Sequence, residues 1–235
     1  MIFTNPPELV INNEFNVTLA IQCQRKWAGY VEQQDKITTP ALIAGVDIAY
    51  DYPSNRAFSA AVVLDAKTLQ PVEIKTAIST IEIPYRSGFL SFREVPAISK
   101  ALEQLEHKPD LIVCDGQGIA HPRRFGIACH LGLLHNIPTI GCGKSRLYGF
   151  AEEPPNQRGA FSWLYDNKKS VIGMVLRTRV NVKPVYLSIG HGVSLPTAQH
   201  IILQLSPRFR LPETTRLADR LAGEFKKEIL AEINI

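Results

Sequence analysis

The order of the apolar runs between residues 41 and 141 constrains the fold of this 235-residue chain more than any other feature. Three strand-like runs come first, at residues 41–49, 58–64 and 72–83. The segments that join them, 52–55 and 65–67, are short and rich in turn-forming residues. Because a parallel neighbour needs a long crossover connection, these short joins predict three antiparallel strands.

The pattern changes after Gly88, where helical spacing replaces strand-like alternation. Residues 92–105 and 125–135 carry apolar side chains at helical spacing, and short apolar runs at 111–114 and 138–141 follow them. Three antiparallel strands followed by helix, strand, helix and strand predict an α/β fold with a mixed sheet and flanking helices. That order is the ribonuclease-H-like one.

The remaining segments complete this picture. We expect an N-terminal helix at 15–30, weaker strands at 160–164, 171–176 and 184–188, and helices at 195–205 and 215–230. The chain has no internal repeat and no low-complexity linker. We therefore expect one domain spanning residues 1–235.

Composition limits the class of protein. Hydrophobic residues make up 45% of the chain, which predicts a packed core, and no apolar run approaches the ~18 residues of a membrane span. The N-terminus lacks the features of a signal peptide. The four cysteines form no Cys-x-x-Cys pair, which favours buried reduced thiols over a zinc site. These features predict a soluble, cytoplasmic protein without a membrane partner, and we expect it to be a monomer.

Charge is distributed unevenly along the chain. Residues 1–115 contain 10 Lys and Arg against 14 Asp and Glu, whereas residues 116–220 contain 14 against 5. A polyanionic ligand held by basic residues beside a cluster of carboxylates would produce this distribution. A solvated basic face would produce it equally well, so charge alone leaves both interpretations open.

Asp47 interrupts the apolar strand at residues 41–50. Burial of an ionised carboxylate costs several kcal/mol unless something compensates the charge. A bound cation is one such compensation, and an arginine or a set of backbone donors is another. Asp47 is therefore a candidate metal ligand.

Asp115 ends the strand-like run 110–115 and is followed by Gly116, Gln117 and Gly118. Ligands of open α/β sheets collect at the C-terminal ends of strands, and glycines there allow close approach of a substrate. These features predict a second ligand at Asp115, although a turn or helix-capping aspartate would fit the same position.

Glu94 has two interpretations. Ser91 and Glu94 fit the Ser-x-x-Glu capping box at the start of a helix, which would make Glu94 a cap. Together with Asp47 and Asp115, however, it would complete a set of three carboxylates suited to Mg²⁺ or Mn²⁺. Two such ions about 4 Å apart can activate water and stabilise the leaving oxygen in phosphodiester hydrolysis.

His121 and Lys144 are candidate assisting groups. His121 stands beside proline and two arginines, so we expect it to be exposed and to orient water or bind a phosphate. Lys144 follows a strand in the Gly-rich segment 141–145, which suits a phosphate clamp. A P-loop would need glycine where Pro138 stands, so a nucleoside triphosphatase is disfavoured.

Taken in order, these motifs resemble the endonuclease V family of deoxyinosine-directed nucleases. The resemblance covers most of the chain from about residue 40 to 220, and its order and spacing are specific and closest to bacterial members. It is carried by GVDIAY at 45–50, PY at 84–85, GFLSFRE at 88–94, DGQGIAHPR at 115–123, HLG at 130–132, GCGKS at 141–145, GH at 190–191, SL at 194–195 and TRLAD at 215–219.

The resemblance implies a Mg²⁺-dependent DNA repair enzyme, with Mn²⁺ as an alternative ion. It implies nicking at the second phosphodiester bond 3′ to deoxyinosine and other deaminated bases, which leaves 5′-phosphate and 3′-hydroxyl ends. Asp47, Glu94 and Asp115 would bind the metal, and Asp219 would support the metal site. His121 and Lys144 would assist at the water and the phosphate.

The resemblance also implies a wedge that separates the strands at the lesion, with Tyr85 on it. The family wedge usually reads Pro-Tyr-Ile-Pro-Gly, whereas Arg86 and Ser87 replace Ile and Pro here. This departure puts wedge stiffness in question, and Arg86 could instead contact a phosphate. The residues expected at the nucleic acid are Tyr85, Arg86, Gly88, Gly116, Gln117, Gly118, Arg123, Arg124, Lys144, Ser145 and Arg146.

Three other functions remain open at this point. A related enzyme could cut inosine-containing RNA, a ribonuclease-H-like junction resolvase could use the same carboxylates, and a lesion-binding protein could lack catalysis. Binding alone needs no set of three carboxylates, which argues against the last alternative.

Overall fold

A computed structural model describes residues 3–12 and 14–233 of the chain. At the N-terminus, a short antiparallel pair of strands, β1 (Val10–Ile11) and β2 (Glu14–Phe15), leads into helix α1 (Val17–Ala28). The Asn16 side chain caps α1 by accepting a hydrogen bond from the backbone N–H of Leu19 at 3.0 Å. The predicted helix at 15–30 is present with slightly shorter bounds, and the strand pair before it was not predicted.

The three predicted antiparallel strands form one half of an eight-stranded sheet. They are β3 (Leu42–Asp51), β4 (Arg56–Asp65) and β5 (Pro71–Thr80), and each pairs antiparallel with the next. The third strand ends at Thr80 rather than at residue 83. Strand β4 is buried on both faces because helices cover the sheet on each side.

The following segment supplies the parallel part of the sheet. It consists of α2 (Leu90–Leu102), β6 (Leu111–Cys114), α3 (Ile127–His135) and β7 (Thr139–Gly143). Strand β6 pairs parallel with β3, and β7 pairs parallel with β6. The predicted order of helix, strand, helix and strand is therefore confirmed. Strands β3 and β6, the first and fourth of the strands predicted from the sequence, are neighbours in the middle of the sheet.

The last part of the chain extends the sheet on the other side. Strands β8 (Phe161–Tyr165), β9 (Val171–Leu176) and β10 (Val185–His191) are followed by α4 (Leu195–Leu205) and α5 (Glu213–Ile233). The spatial order is β5-β4-β3-β6-β7-β10-β9-β8, which is a mixed sheet. The predicted ribonuclease-H-like α/β class is confirmed.

Alternating side chains of the central strands point to two different layers. Ala61 and Val63 pack with α2, whereas Val62 and Leu64 pack with α5. Gly45 of β3 lies directly under α5, and a Cβ there would overlap the backbone of Thr214. Helix α5 therefore lies against the same strand that carries Asp47.

Two further findings concern the surface and the cysteines. No helix within residues 3–12 and 14–233 is both long and apolar enough to cross a bilayer. All four cysteines, Cys23, Cys114, Cys129 and Cys142, are buried and free of disulfides, as their spacing predicts.

Candidate active site

A cavity of about 370 Å³ lies at the end of the sheet where β6 and β7 finish. Asp47 reaches it from β3, Glu94 from α2, and Asp115 from the residue after β6. Because β3, β6 and β7 are parallel neighbours, groups at their C-terminal ends share one edge of the sheet. The structure thus brings together three carboxylates that are far apart in the sequence.

Asp47 is a half-buried carboxylate with little compensation from the protein. Its Oδ1 accepts a hydrogen bond from the backbone N–H of Ile48 at 2.8 Å. Burial raises the pKa of Asp47 to about 7, and the charges of Asp115 and Asp219 add to the rise despite that hydrogen bond and the nearby Lys144. The side chain is therefore in an environment that favours a neutral group or a nearby cation.

Asp115 forms the one direct ion pair within this set. The Lys144 ammonium lies 2.5 Å from Asp115 Oδ2. Burial raises the pKa of Asp115 even so, because the attraction of Lys144 only partly offsets the cost of desolvation and the repulsion of Asp219. Burial alone would lower the pKa of Lys144, but the contact with Asp115 outweighs it and raises that pKa.

Glu94 lies in α2 with its carboxylate directed toward Tyr50. Its Oε1 accepts a hydrogen bond from the Tyr50 hydroxyl at 2.8 Å. Burial raises the pKa of Glu94 to about 7, although Tyr50 and Arg93 work to lower it. Like Asp47, it is a carboxylate whose charge is only partly compensated.

The capping-box interpretation of Glu94 is wrong. Helix α2 begins at Leu90 with Phe89 at the N-cap, and no side chain caps it. Ser91 lies inside the helix, where its buried Oγ has no hydrogen-bond partner. Phe89 is buried against Phe15 and under the Arg123 guanidinium, and these contacts fix where the helix begins. Glu94 is therefore free to line the cavity.

The donor set fits a hard divalent cation in its chemistry. Carboxylate oxygens are the ligands that Mg²⁺ and Mn²⁺ prefer, and carboxylates with raised pKa gain most from a nearby positive charge. As placed, however, no three His, Cys, Asp or Glu side chains within the described ranges are close enough to share one ion. The cation that Asp115 contacts is instead the ammonium of Lys144. Asp219 is exposed on α5 and acts on Asp47 and Asp115 through its charge.

His121 is buried, with 2% of its surface exposed, so the expectation of an exposed histidine is wrong. Its Nδ1 accepts from the backbone N–H of Arg123 at 3.1 Å, and its Nε2 lies 3.0 Å from the Gly88 carbonyl oxygen. Burial lowers the pKa of His121 to about 4, with a smaller contribution from Arg123. The ring is thus neutral and donates from Nε2 to the Gly88 carbonyl oxygen. This contact forms because the loop that carries His121 folds back beneath the segment 84–88.

The segment 84–88 forms one rim of the cavity and is held at its base through the Gly88 carbonyl oxygen. The Gly88 carbonyl oxygen accepts hydrogen bonds from Gln24 Nε2 at 3.0 Å and from Arg123 Nη2 at 2.7 Å, as well as from His121. Tyr85 is 68% exposed, and Arg86 and Ser87 are also exposed. The wedge predicted from the resemblance is therefore a projecting loop with a fixed base.

Not all of the expected nucleic-acid contacts lie at the cavity. Gly116, Gln117, Lys144 and Ser145 line it, and Arg146 is exposed beside it. Gly118 does not line it; it is buried, and a Cβ there would overlap the carbonyl of Ile189. Because Gly118 has no side chain, its backbone packs closely against that of Ile189. It is therefore a packing residue and not part of the cavity lining.

The two arginines after Pro122 are engaged within the protein. Arg123 packs 4.4 Å above the Phe89 ring and binds Gln24 and Gly88. Arg124 forms an ion pair with Asp166 at 2.8 Å. Each guanidinium therefore has a structural role within the protein, and contact with a phosphate stays a prediction for both arginines.

Sequence reasoning missed several residues of the cavity. Gln24, Leu90, Phe125, Gly126 and Ile127 line it. Gln24 is buried on the apolar face of α1, in line with Ala20, Cys23 and Trp27. A polar residue at helical spacing within an apolar face is a signal that could have identified Gln24. The other residues carry no comparable signal.

Comparisons with known proteins agree with this geometry. The model of the Endonuclease V family matches residues 25–220. A relative named Endonuclease V from Trichormus variabilis is 51% identical over 205 residues, which are 87% of this chain and 92% of the relative. The crystal structure of Endonuclease V from Streptomyces avermitilis matches with a TM-score of 0.88 and 42% identity, covering 93% of this chain and 96% of that one.

A third match contains a ligand. The structure of Ciona intestinalis Endonuclease V in complex with a 24mer DNA containing an inosine followed by a ribo-adenosine has a TM-score of 0.82 and 27% identity to this chain. It covers 91% of this chain and 98% of that one.

Proposed function

This chain belongs to the endonuclease V family and is a nuclease of that type, and from this premise we propose that it is a metal-dependent DNA repair endonuclease. It nicks the second phosphodiester bond 3′ to deoxyinosine and other deaminated bases, and it leaves 5′-phosphate and 3′-hydroxyl ends. The observation that carries the proposal is the meeting of Asp47, Glu94 and Asp115 at one cavity beside Lys144.

In this proposal Asp47, Glu94 and Asp115 hold Mg²⁺ or Mn²⁺, and Asp219 adds negative charge from α5. A bound divalent ion lowers the pKa of water and stabilises charge on the leaving oxygen. Lys144 is the group nearest to these carboxylates that can pair with a phosphate, and its exposed side chain can leave Asp115 when a phosphodiester and a metal arrive. Lys144 follows β7 directly and its side chain is exposed, which allows this movement.

His121 and Arg123 act at a distance from the reacting atoms. Both donate hydrogen bonds to the Gly88 carbonyl oxygen, so they hold the base of the loop that carries Tyr85. Because the Nε2–H of His121 is already engaged, its role is to position this loop rather than to contact the attacking water. His121 is a positioning residue in this account.

The displaced base enters the cavity between the loop and α3. Gly88, Leu90, Phe125, Gly126 and Ile127 form a wall that is largely apolar. A volume of about 370 Å³ is within the usual range for small-ligand sites. Tyr85 projects at the rim, where an aromatic ring can stack in the place of a base that has left the duplex.

The direct test is a nicking assay on a duplex with one deoxyinosine, with Mg²⁺ and with EDTA. We expect a single nick with Mg²⁺, a ligatable 5′-phosphate at the product end, and no product with EDTA. A matched undamaged duplex serves as control. Cleavage of the undamaged duplex, or equal cleavage in EDTA, would contradict the proposal.

Two parallel substrates separate the alternatives. The Ciona relative was solved with a strand in which a ribo-adenosine follows inosine, so a matched inosine-containing RNA is the closest competitor. Faster cleavage of the RNA would favour an endoribonuclease. Cleavage of a four-way junction without any cleavage of inosine strands would favour a resolvase.

Tyr85→Ala tests the wedge. Loss of one stacked ring should weaken binding to a deoxyinosine duplex about tenfold, because base–aromatic stacking contributes roughly 1–3 kcal/mol. The effect should be smaller on a single strand, which needs no separation. Tyr30→Ala removes another exposed tyrosine, at the end of α1 and outside the cavity lining, and should leave binding unchanged. Equal losses in both variants would exclude a wedge function for Tyr85.

A further inference from the structure

A strongly basic stretch lies beyond the active site in the second half of the chain. Residues 167–212 contain seven Lys and Arg and no Asp or Glu. Its exposed cations include Arg179, Lys183 and Arg208, and we call these three, together with the exposed Arg158 that precedes the stretch, the basic edge. Among the residues that the structure describes, no carboxylate forms an ion pair with any of the four.

The basic edge lies on the same edge of the sheet as the active site. Strand pairing aligns Gly143 of β7 with Tyr186 of β10, Tyr186 with Val175 of β9, and Val175 with Ser162 of β8. Arg179 follows β9, Lys183 precedes β10 and Arg158 precedes β8. These cations therefore continue the line that begins with Asp115 and Lys144.

Several of these side chains are fixed in place by the backbone. Arg158 Nη2 donates to the Leu203 carbonyl at 2.7 Å, and Arg179 Nη1 donates to the Arg208 carbonyl at 2.8 Å. With Thr178, Val180 and Pro207, the three arginines line a surface cavity of about 570 Å³. The nearby acids Glu153 and Glu213 are paired with Arg177 and Arg216, so they do not neutralise this cavity.

A single arginine connects the basic edge to the catalytic loop. Arg210 Nη2 donates to the Lys144 carbonyl at 2.6 Å and to the Pro184 carbonyl at 2.9 Å. The loop between α4 and α5, which carries Arg208, is thus joined to the segment that carries Lys144. A polyanion that contacts Lys144 would have the further positive charge of Arg210 beside it.

We propose that the substrate duplex continues from the active site over the basic edge, which binds its phosphodiester backbone on one side of the lesion. This inference rests on the proposed function. Three strand spacings separate β7 from β8, or about 14 Å. One strand of a duplex advances about 3.4 Å per base pair. The contacts therefore begin within about four base pairs of the cleaved bond.

The test compares two variants with the same change in net charge. Arg179→Gln, Lys183→Gln and Arg208→Gln together remove three of the four charges of the basic edge. Lys67→Gln, Lys100→Gln and Lys108→Gln form the matched control, because all three lysines are exposed and Lys67 and Lys108 lie at the opposite edge of the sheet. Equal melting temperatures of the two proteins establish that both are folded.

Binding is measured by fluorescence anisotropy in EDTA, with deoxyinosine duplexes extended by ten base pairs on the 3′ side only, on the 5′ side only, or on neither side. For one extended duplex, the basic-edge variant should lose about tenfold in affinity, and the slope of log affinity against log salt should fall by about 3. The other duplexes and the control variant should behave as wild type.

Equal binding by both variants would overturn the inference, and so would an equal loss on both sides of the lesion, which would indicate general attraction of DNA. Nicking of the unextended duplex by the wild type tests the proposed function separately. If nicking fails while the basic-edge variant still binds an undamaged duplex more weakly and with a smaller salt slope, the proposed function falls and the binding surface stands.

Discussion

The carboxylate of Glu73 and the carboxylates at the cavity have opposite environments. Glu73 on β5 accepts hydrogen bonds from the backbone N–H groups of Glu106 and His107, at 3.0 and 2.8 Å, and also contacts the His107 ring and Lys75. Those backbone hydrogen bonds, first from Glu106 and then from His107, lower the pKa of Glu73 to about 2. Its charge is fully compensated within the protein.

At the cavity the same chemical group is left short of partners. Asp47 has one backbone donor. Burial raises its pKa to about 7, and the charges of Asp115 and Asp219 add to the rise, whereas hydrogen bonds lower the pKa of Glu73. The comparison shows that a compensated carboxylate fastens a loop to the sheet, whereas carboxylates with few partners are unfavourable when charged and gain from a proton or a nearby cation. The following predictions test this difference, from the largest effect to the smallest.

The largest difference should appear in nicking. Asp47→Asn removes a charge from the proposed metal site and should lower the nicking rate by at least roughly 10²–10³-fold, the usual loss for one group that stabilises a transition state. Glu73→Gln is the matched control and should nick as wild type. The measurement is single-turnover cleavage of a deoxyinosine duplex. Similar nicking rates for the two variants would remove the functional distinction between Glu73 and the carboxylates at the cavity.

A smaller effect should appear in thermal stability with and without Mg²⁺. The folded-state pKa values of Asp47 and Glu94, about 7, lie above their ordinary values. Their contribution to metal-free stability is therefore complete below about pH 4 and is lost as the pH rises through about 7. Mg²⁺ at a hundred times its dissociation constant should raise the melting temperature by roughly 5–10 °C at pH 8.

The same increase should be smaller at pH 6, where protons compete with the ion, and nearly absent in Asp47→Asn. Calorimetry at the two pH values measures it. An equal increase at both pH values, or one that survives in Asp47→Asn, would mean that the ion binds elsewhere.

The smallest effect concerns Glu73 and has the opposite sign. Its folded-state pKa is lowered, so its contribution to stability is complete above about pH 4.5 and is lost as the pH falls through about 2. Glu73→Gln should melt a few degrees below wild type at pH 7, and the melting temperatures of the two proteins should converge as the pH falls toward about 2. Convergence of the two melting temperatures at high pH instead would show that the charged Glu73 carboxylate does not stabilise the fold.

Local patterns in the sequence were sufficient to predict most of the fold. The apolar runs of β3 and β4 and the helical spacing of α4 predicted their positions closely, because each element buries most of its apolar side chains. Asp47 was identifiable because a carboxylate inside an apolar strand is costly to bury without compensation, and Asp115 because it ends a strand immediately before a glycine. The short pair β1 and β2 gave no signal, since two-residue strands have no periodicity.

The errors at the site have one common cause, which is contact between distant segments. His121 and Arg123 lie in a sequence typical of an exposed loop, yet both are drawn inward by the Gly88 carbonyl, 33 and 35 residues away. The helix containing Glu94 begins where the packing of Phe89 places it rather than where Ser91 would cap it. Such partners cannot be inferred from spacing within one segment.

The close approach of Gly45 to Thr214 has a consequence for how far the sequence can vary at this position. Any side chain at residue 45 would meet the Thr214 backbone and push α5 away from β3. Because Asp219 lies on α5 and its charge acts on Asp47 and Asp115, a substitution outside the cavity lining would change the electrostatics of the carboxylates within it.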